Sequence, residues 1–397
     1  MRKILFIVNA GKISPNENGG ASVYYSHLEL LYKAGYEIDL LAVEWSEDMS
    51  YNLEDYKEIK SFVSSIETYK IINVNPQKNH KRLFAAIFKP EQFEYYFLNE
   101  VNKKALKNII EKKTTDLVWS EWRWAGLWAW YSKLKIPVVY AHHDWEYKLA
   151  KLREKRNLLQ KFHTFQKKRV EYKMVKGVAG SISGSLTEAK EIESVSSKRA
   201  IYIPTTYSSI SPKLIKKDVP RIVHLGGMGT TANRLGLERF LDVSWKSIKD
   251  NFPAIKLQVI GSLKAAPKCL LEKLKDPNII CSGFVRDLQE VLRPEDIHII
   301  PWEYNTGTRT RIPVIFNYQQ ALVATIASVE AFPEIKHNKN AILCKDLKEM
   351  SSEISKLIDD KLKRERISNE AKETFVANYT SNSQVSKLKE FIEELLS

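Results

Sequence analysis

Short apolar runs of strand length recur along the whole chain, and amphipathic stretches separate them. Most of the runs are continuously apolar, as in Ile4–Val8 and Leu257–Ile260, which is typical of strands buried on both faces of a sheet. Stretches with helical periodicity, such as Val23–Lys33, lie between them. Strands that alternate with helices predict parallel sheets with right-handed crossovers. The pattern therefore predicts an α/β fold of doubly wound, Rossmann-like domains.

The predicted strands fall into two groups, which suggests two domains in a chain of 397 residues. The first group comprises Ile4–Val8, Ile38–Val43, Ile71–Val74, Leu117–Trp119, Val138–Ala141, Val178–Ile182 and Ile201–Ile203. The second comprises Ile222–Leu225, Leu257–Ile260, Ile279–Cys281, Ile297–Ile300, Leu322–Thr325 and Ala341–Leu343. Residues 206–220 hold Pro, Ser and Lys with little periodicity, which indicates a linker. We expect domains over 1–205 and 221–379 that face each other across a cleft, with a helix over about 380–397 packing back on the first.

The charge balance suggests an anionic partner, since the formal net charge is +14. The candidate partners are nucleic acid, anionic lipid head groups and phosphorylated substrates. The alternative is that the chain is a soluble lysine-rich protein without an anionic partner. The sequence has no zinc-finger, homeodomain or RNP pattern, so we expect no nucleic-acid partner. The basic stretch 148–176 is either a solvated helix face or a surface for anionic lipid or a phosphorylated acceptor.

Other classes of protein are disfavoured by what the sequence lacks. No run of about 18 apolar residues predicts a membrane span. Three cysteines, Cys269, Cys281 and Cys344, are too few and too scattered for a disulfide framework or a zinc site, so we expect buried thiols. We therefore expect a cytoplasmic protein that can contact the inner face of the membrane.

A glycine-rich turn, GGMGTTANRLG at 226–236, follows the predicted strand Ile222–Leu225. It formally fits the dinucleotide fingerprint, but the next strand, Leu257–Ile260, ends in Gly261 without an acidic residue for a ribose. A nicotinamide or flavin enzyme is therefore disfavoured. Asn233 and Arg234 lie near the predicted start of the next helix. Arg234 there can either contact a diphosphate or lie on the protein surface.

The loop EYNTGTRTRIP at 303–313 holds two arginines and runs into a predicted helix. The guanidinium groups of Arg309 and Arg311, together with a helix N-terminus, suit a diphosphate. We expect Thr310 to cap that helix, and Pro313 fits its first turn.

Two elements of the first half lie where open α/β sheets bind ligands, at the carboxyl ends of strands. Gly19 and Gly20 let backbone approach a ligand closely and leave helix N–H groups free, although an ordinary glycine loop explains them equally. His143 follows the strand Val138–Ala141 and can contact an acceptor or a donor phosphate; the alternative is a histidine held by Asp144 and backbone. No Walker A loop, HExxH, GxSxG or metal-ligand spacing is present, so we expect no metal or cofactor.

These segments together resemble a GT-B fold glycosyltransferase, close to glycosyltransferase family 4, over nearly the whole chain. The matching segments, with the family motif that each resembles, are Gly19-Gly20 (the glycine pair), His143–Glu146 (HNxE), Gly226–Met228 with Asn233 (GSM…PN), Gly307–Ile312 (GTRxKI), and Leu322–Thr325 with Glu330-Ala331 (PVVxT…EG). Val314 stands where the family carries the glutamate that holds the nucleotide ribose, and Thr306 stands at the other glutamate of that pattern.

The resemblance implies hexosyl transfer from a nucleotide-diphosphate sugar to a glycan, lipid-linked or small-molecule acceptor, with retention and without metal, in cell-surface polysaccharide biosynthesis. The implied catalytic residues are His143, Arg234, Arg309 and Arg311. The implied donor-binding residues are Gly19, Gly20, Gly227, Asn233, Thr306, Gly307, Thr308, Thr310 and Glu330. Because Val314 and Thr306 depart from the pattern, a catalytically impaired GT-B-like binding or scaffold protein is the alternative.

Overall fold

The computed structural model describes residues 2–47, 49–74, 88–151, 157–212, 220–305 and 309–397. These residues form two compact units. The first unit comprises the residues up to Thr205 together with Gln384–Ser397, and the second comprises Thr206–Asn305 and Arg309–Ser383. Each unit is built around one parallel sheet, so the predicted α/β fold with two doubly wound, Rossmann-like units is confirmed.

Seven described strands form the sheet of the first unit, in the spatial order β3-β2-β1-β4-β5-β6-β7. They are β1 Lys3–Asn9, β2 Glu37–Glu44, β3 Ser65–Lys70, β4 Leu117–Glu121, β5 Val138–His142, β6 Gly180–Ser183 and β7 Ala200–Tyr202. The chain winds outward from β1 to β3 and then returns to β4 on the other side of β1. The carboxyl ends of β1 and β4 therefore flank the switch point of this sheet.

Six described strands form the sheet of the second unit, in the order β10-β9-β8-β11-β12-β13. They are β8 Ile222–Leu225, β9 Leu257–Ile260, β10 Ile279–Gly283, β11 Ile297–Ile300, β12 Ala321–Thr325 and β13 Ala341–Cys344. The winding direction reverses between β8 and β11, which places the second switch point at their carboxyl ends.

Helices alternate with the strands in both units. Those of the first unit are α1 Gly19–Lys33, α2 Pro90–Glu94, α3 Glu100–Lys113, α4 Trp122–Tyr131, α5 Glu146–Lys151, α6 Leu158–Gly177 and α7 Leu186–Ser196, with a 3₁₀ helix over Leu53–Ile59. Those of the second unit are α8 Thr231–Phe240, α9 Lys246–Asn251, α10 Lys268–Lys273, α11 Arg311–Asn317, α12 Ile326–Val329, α13 Leu347–Asp359 and α14 Lys361–Asn378, with a π-helical turn over Leu241–Trp245. The last helix, α15 Ser381–Leu396, begins in the second unit and ends in the first.

Burial on both faces explains the continuous apolar runs. Every residue of Ile4–Val8 in β1 is fully buried. Leu5 and Ile7 belong to the core cluster on one face of the sheet, whereas Ile4, Phe6 and Val8 belong to the cluster on the other. The two faces thus use alternate residues of one strand, which leaves no polar position inside it.

Every predicted strand except Ile71–Val74 lies on an observed strand. The third strand is instead Ser65–Lys70, at the edge of the first sheet, where alternate residues are exposed. Its sequence, SIETYK, has no continuous apolar run. Because the other strands were predicted from such runs, this strand was wrongly assigned to the apolar residues that follow it.

The segment predicted as a linker belongs to the second unit over its described residues, 206–212. The amide of Tyr207 donates to Tyr379 O at 2.9 Å, and Asn317 Nδ2 donates to Ser208 O at 2.9 Å. Lys372 Nζ donates to Ile210 O at 2.6 Å. These bonds satisfy the backbone of the segment, so it is an ordered part of that unit.

The expectation of three buried thiols is wrong for two of them. Cys344 is buried, whereas Cys269 and Cys281 are exposed. Cys281 lies in β10, the edge strand of the second sheet, and Cys269 lies in the short helix α10. The edge position explains the exposure of Cys281, and Cys269 lies on the exposed side of its helix despite the apolar residues that follow it in sequence.

Helix α15 completes the core of the first unit. Leu388, Phe391 and Ile392 are fully buried, and they share a core cluster with Ile4 and Phe6 of β1. A Cβ atom on Gly180 of β6 would lie 2.8 Å from Phe391 Cζ, so the helix approaches the sheet closely.

We predict that Phe391→Ala destabilises the first unit by about 3–5 kcal/mol, because it removes a buried aromatic side chain from that core. Chemical unfolding followed by tryptophan fluorescence measures this, since seven of the nine tryptophans lie in the first unit. Leu362→Ala, at a side chain that is 78% exposed in α14, is the control and should leave the transition unchanged. Equal transitions in the two variants would contradict this packing role.

Candidate functional site

The turn after β8 lies at the switch point of the second sheet, where open α/β sheets bind ligands. Strand β8 ends at Leu225, and residues 226–230 lead into α8. The amide of Gly226 donates to Ile260 O at 2.8 Å, and the amide of Met228 donates to Ser262 O at 2.9 Å. The turn is therefore fixed to the end of β9, with its backbone at the carboxyl edge of the sheet.

Two glycines make this close approach possible. Gly261 has a φ of +133°, and a Cβ atom there would lie 2.6 to 2.7 Å from backbone atoms of Gly226 and Gly227. Gly226 has a φ of +146°, and its Cβ would lie 2.3 Å from Asn233 Nδ2. At Gly261 both the positive φ and the neighbouring backbone exclude a side chain, whereas at Gly226 the positive φ disfavours one and a Cβ would displace the Asn233 side chain.

Arg311 is anchored to this turn by two hydrogen bonds. Its Nη1 donates to the carbonyl oxygen of Leu225, and its Nη2 donates to Asn233 Oδ1. Asn233 Nδ2 in turn donates to Gly227 O at 3.1 Å. The structure thus brings together three predicted residues, Gly227, Asn233 and Arg311, and holds the guanidinium group at the end of β8.

Arg311 lies near a second positive charge, that of Arg309. Both acceptors of Arg311 are neutral oxygens. Burial and, second, the like charge of Arg309 lower the pKa of Arg311 from 12.5 to about 9. Arg309 itself is only 7% exposed, and its Cζ lies 6.0 Å from the centre of the Trp302 ring. A bound anion would relieve both the lost hydration and the repulsion.

Two buried histidines lie in the strands below these arginines. Burial, followed by the charge of Arg311, holds the pKa of His224 in β8 well below its ordinary value. Burial lowers the pKa of His298 in β11 to about 3, and its Nδ1 lies 2.7 Å from Gln320 Oε1. Both rings are neutral at physiological pH, so they add no positive charge beside Arg311.

The remaining predicted donor residues are less closely associated. Arg234 lies half-buried in the first turns of α8. Glu330 follows α12, is exposed, and accepts a hydrogen bond from Asn305 Nδ2 at 2.9 Å. Thr306, Gly307 and Thr308 lie outside the described residues.

The predicted cap of α11 is wrong. Thr310 precedes the helix, but its side chain accepts no hydrogen bond from the first turn, and its backbone is already helical, with φ −55° and ψ −18°. A capping side chain needs an extended backbone at that position. The positive charge at this end of α11 therefore comes mainly from Arg309 and Arg311.

Val314 lies one turn into α11 and packs against an apolar cluster. Its neighbours there include the buried Val223, Ile260 and Leu292. The nearby carboxylate of Glu303 forms an ion pair with Arg239. The side of α11 that carries Val314 thus offers an apolar surface where the resemblance implies a carboxylate.

The first unit has a second polar group at its own switch point, centred on Glu121 at the end of β4. Glu121 is fully buried and has three partners. Trp119 Nε1 donates to its Oε1 at 2.7 Å, His27 Nδ1 lies 2.6 Å from the same oxygen, and His143 Nε2 lies 2.9 Å from Oε2. Burial opposes ionisation, but His27 and His143 outweigh it and lower the pKa of Glu121 to about 2.

His143 is held by Glu121 and remains partly accessible. It follows β5, and its side chain is 13% exposed. The adjacent His142 is turned into the core, where its Nε2 lies 3.3 Å from Glu188 Oε2. Neither Glu121 nor His27 was singled out in the sequence. Glu121 lies two residues beyond the predicted strand Leu117–Trp119. A carboxylate at the end of a buried strand is the sequence signal that could have identified it as a site residue.

Gly19 and Gly20 are the first two residues of α1, which begins slightly earlier than the sequence suggests. Asn18 caps the helix, with its Oδ1 accepting from the amide of Ala21 at 3.1 Å. This start places Tyr24 and His27 of α1 near the Glu121 group, since the Tyr24 ring lies 5.5 Å from that of His143.

Two other kinds of feature are absent from the parts of the chain that the structure describes. No group of three or more His, Cys, Asp or Glu side chains there is placed to hold a metal ion. No helix among these residues combines the length and apolarity needed to cross a membrane.

We predict that Gly261→Ala destabilises the second unit by about 3 kcal/mol or more, because the new Cβ meets backbone at a φ that alanine avoids. Gly229→Ala is the matched control, since a Cβ there has no heavy atom within 4 Å. Thermal and chemical unfolding of both variants test this. Comparable stabilities would show that the turn after β8 can move away from β9.

The chain matches a known family over its second half. Residues 219–360 match the family model described as "Glycosyl transferases group 1". This range contains the turn after β8, Asn233 and both arginines of the site. A comparison with curated protein sequences finds no match.

Solved structures resemble the chain over its full length. Sucrose-phosphate synthase from Thermosynechococcus elongatus is 14% identical, with a TM-score of 0.70 and coverage of 100% of this chain and 99% of that one. A mutant of S. aureus TarM, in complex with fondaparinux, alpha-GlcNAc-glycerol and UDP, is 13% identical, with a TM-score of 0.69 and full coverage of both chains. Anabaena HepE in complex with UDP-glucose is 13% identical, with a TM-score of 0.68 and coverage of 99% and 100%.

At these identities the structural likeness establishes the fold, and the family model adds the sequence signature of the second unit. The GT-B fold expected from the resemblance is thereby confirmed, and residues 219–360 match the model of the group 1 glycosyl transferases.

Proposed function

We propose that the chain transfers a sugar from a nucleotide-diphosphate donor to an acceptor hydroxyl. The observation that carries this proposal is the arrangement of Arg311, which is fixed to Leu225 and Asn233 and whose two acceptors among the described residues are neutral oxygens. Two neighbouring guanidinium groups beside a glycine turn suit a diphosphate. The presence of UDP or UDP-glucose in the TarM and HepE structures supports the same class of donor.

The arginines would act on the bond-breaking step. As the bond between sugar and diphosphate breaks, negative charge develops on the leaving diphosphate. A cation that is already held in place stabilises this charge without rearranging during the reaction. Arg311 meets this condition because protein oxygens fix its guanidinium group. We further propose that transfer proceeds with retention and without metal, since the arginines would supply the positive charge.

His143 is proposed to assist at the acceptor hydroxyl, with Glu121 as its positioning residue. The bond from His143 Nε2 to Glu121 Oε2 orients the ring, and the buried carboxylate favours a proton on that nitrogen. An imidazole held in this way can accept or guide a proton near neutral pH.

The nucleotide would be held mainly by phosphate and backbone contacts. Val314 presents an apolar surface on α11, so a ribose would receive no carboxylate from that turn. The same observation favours the alternative, a GT-B-like binding or scaffold protein without turnover.

The proposal has finer parts, which go beyond the family match. They are hexosyl transfer, a glycan, lipid-linked or small-molecule acceptor, and a role in cell-surface polysaccharide synthesis. They also include a cytoplasmic location at an anionic membrane and the lack of a nucleic-acid partner. The TarM complex, with its glycan and GlcNAc-glycerol ligands, favours a saccharide or glycerol-based acceptor.

We expect Arg311→Ala to lower turnover about a hundredfold, which corresponds to roughly 3 kcal/mol of transition-state stabilisation. Arg309→Ala should have an effect of similar size. Release of nucleoside diphosphate from a panel of nucleotide sugars measures this. Arg366→Ala, at an exposed arginine in α14, is the control and should keep the parental rate. Near-parental transfer by both site variants would contradict the assignment.

A thermal-shift assay with UDP, GDP, ADP and CMP tests nucleotide binding separately from sugar transfer. One nucleotide should raise the melting temperature of the parent, because a ligand that binds the native state stabilises it. Arg311→Ala should reduce that shift. A shift without transfer or donor hydrolysis would favour the scaffold alternative, and no shift with any nucleotide would contradict both.

Glu121→Gln should lower the transfer rate about tenfold to a hundredfold, because it removes the charge that holds His143. It should leave the nucleotide-induced thermal shift intact, since Glu121 lies in the first unit. The pH dependence of transfer should change in this variant. An unchanged pH profile and rate would show that the Glu121 group serves the fold alone.

A further inference from the structure

Helix α6, Leu158–Gly177, has apolar side chains on the side that faces solvent. Leu158, Phe162 and Phe165 are four and three residues apart, so they form one stripe along the first two turns. They are 83%, 38% and 58% exposed, and Leu159 beside them is 62% exposed. These four residues are called the apolar stripe.

The opposite side of α6 already supplies the contact with the core. Val170, Met174 and Val175 are fully buried and belong to a core cluster of the first unit. A surface helix of a soluble protein normally has polar residues on its outer side. Helix α6 is therefore apolar on two sides. Packing within the first unit explains the inner apolar side but not the outer one.

The charged residues of α6 itself are mostly of one sign. Six basic residues lie in α6, namely Lys161, Lys167, Lys168, Arg169, Lys173 and Lys176, against a single acid, Glu171. Glu171 is 1% exposed and accepts the amides of Glu146 and Tyr147 at 2.9 and 3.2 Å. Acids of neighbouring helices pair with Lys167 and Lys173, so the positive charge of the helix comes mainly from Lys161, Lys168, Arg169 and Lys176.

Basic groups lie next to the apolar ones. Arg169 continues the line of the stripe, and its Cζ lies 5.8 Å from the centre of the Phe165 ring. Lys161 is exposed between Leu158 and Phe165 along the chain. Leu149 and Lys151, on the preceding helix α5, are also exposed. Apolar side chains bordered by Lys and Arg are the composition of helices that lie in the interface of an anionic bilayer.

We propose that the apolar stripe inserts into the surface of a bilayer rich in anionic lipid, with the basic residues of α6 contacting the head groups. Leucine and phenylalanine would enter the boundary between head groups and acyl chains. The lysines and arginines would bind the phosphates above it, where each basic residue contributes to the attraction. This surface goes beyond sugar transfer and rests on the first unit alone.

Charge decides against a second copy of the chain as the occupant. A symmetric contact through the stripe would place Lys161 and Arg169 of one α6 near those of the other, while Glu171 is buried on each side. Nucleic acid would satisfy the charge but leave the exposed Leu158 and Phe165 without a function. An anionic bilayer satisfies both.

Vesicle flotation without a sugar donor tests the surface separately from catalysis. The probes are vesicles of phosphatidylcholine alone and of phosphatidylcholine with phosphatidylglycerol. The parent should bind the anionic vesicles and not the neutral ones. A double variant, Leu158→Ser with Phe165→Ser, should lose about tenfold in partitioning, because it removes buried apolar area from the bound state.

The matched control is Leu362→Ser with Val376→Ser on α14, where the side chains are 78% and 52% exposed. It removes similar exposed side chains and should keep the parental partitioning. Lys161→Gln with Lys176→Gln should weaken binding and flatten its dependence on salt.

Three results would overturn the proposal. One is equal partitioning of the parent and the stripe variant. Another is equal binding to neutral and anionic vesicles. The last is self-association of the parent, detected by sedimentation and abolished in the stripe variant, without vesicle binding. Loss of sugar transfer with intact vesicle binding would count against the proposed enzyme and not against this surface.

Discussion

Burial of parallel strands on both faces is the constraint from which the rest of the structure follows. In β1 every residue of Ile4–Val8 is fully buried, and alternate residues contact different core clusters. Such strands leave polar side chains with few places inside the sheet, so functional groups collect where strands end. Both units follow this rule: Glu121 ends β4, and Arg311 contacts the last residue of β8.

The two polar groups differ in how their charge is compensated. Glu121 is a buried anion with a tryptophan and two histidines around it, and these partners keep it ionised. Arg311 is a partly buried cation whose two hydrogen-bond acceptors are neutral, and a second arginine lies nearby. In the first group, the protein itself supplies the partners of the charged side chain. In the second, a bound anion would add a counter-charge to Arg311, which is why the nucleotide is proposed to bind there.

The parts of the fold that follow from burial were predictable from sequence. Continuous apolar runs located the buried strands, whereas the half-exposed edge strand β3 lacks such a run and was misplaced. The cap at Thr310 was wrong because capping depends on a backbone conformation that residue type alone does not determine. The bond from Arg311 to Asn233 joins residues 78 apart and depends on the order of β8 and β11 in the sheet. Glu121 was missed because its partners come from α1 and the end of β5, which only the folded sheet brings together.

The path of α15 has a consequence for the order in which the chain folds. Residues 384–397 belong to the first unit, although the whole second unit lies between them and the strands that they cover. During synthesis, β1 and β6 emerge before the second unit, whereas Leu388, Phe391 and Ile392 emerge after it. One face of the first sheet therefore stays uncovered while the second unit is made. The first unit can complete its core only after the second unit has left the ribosome.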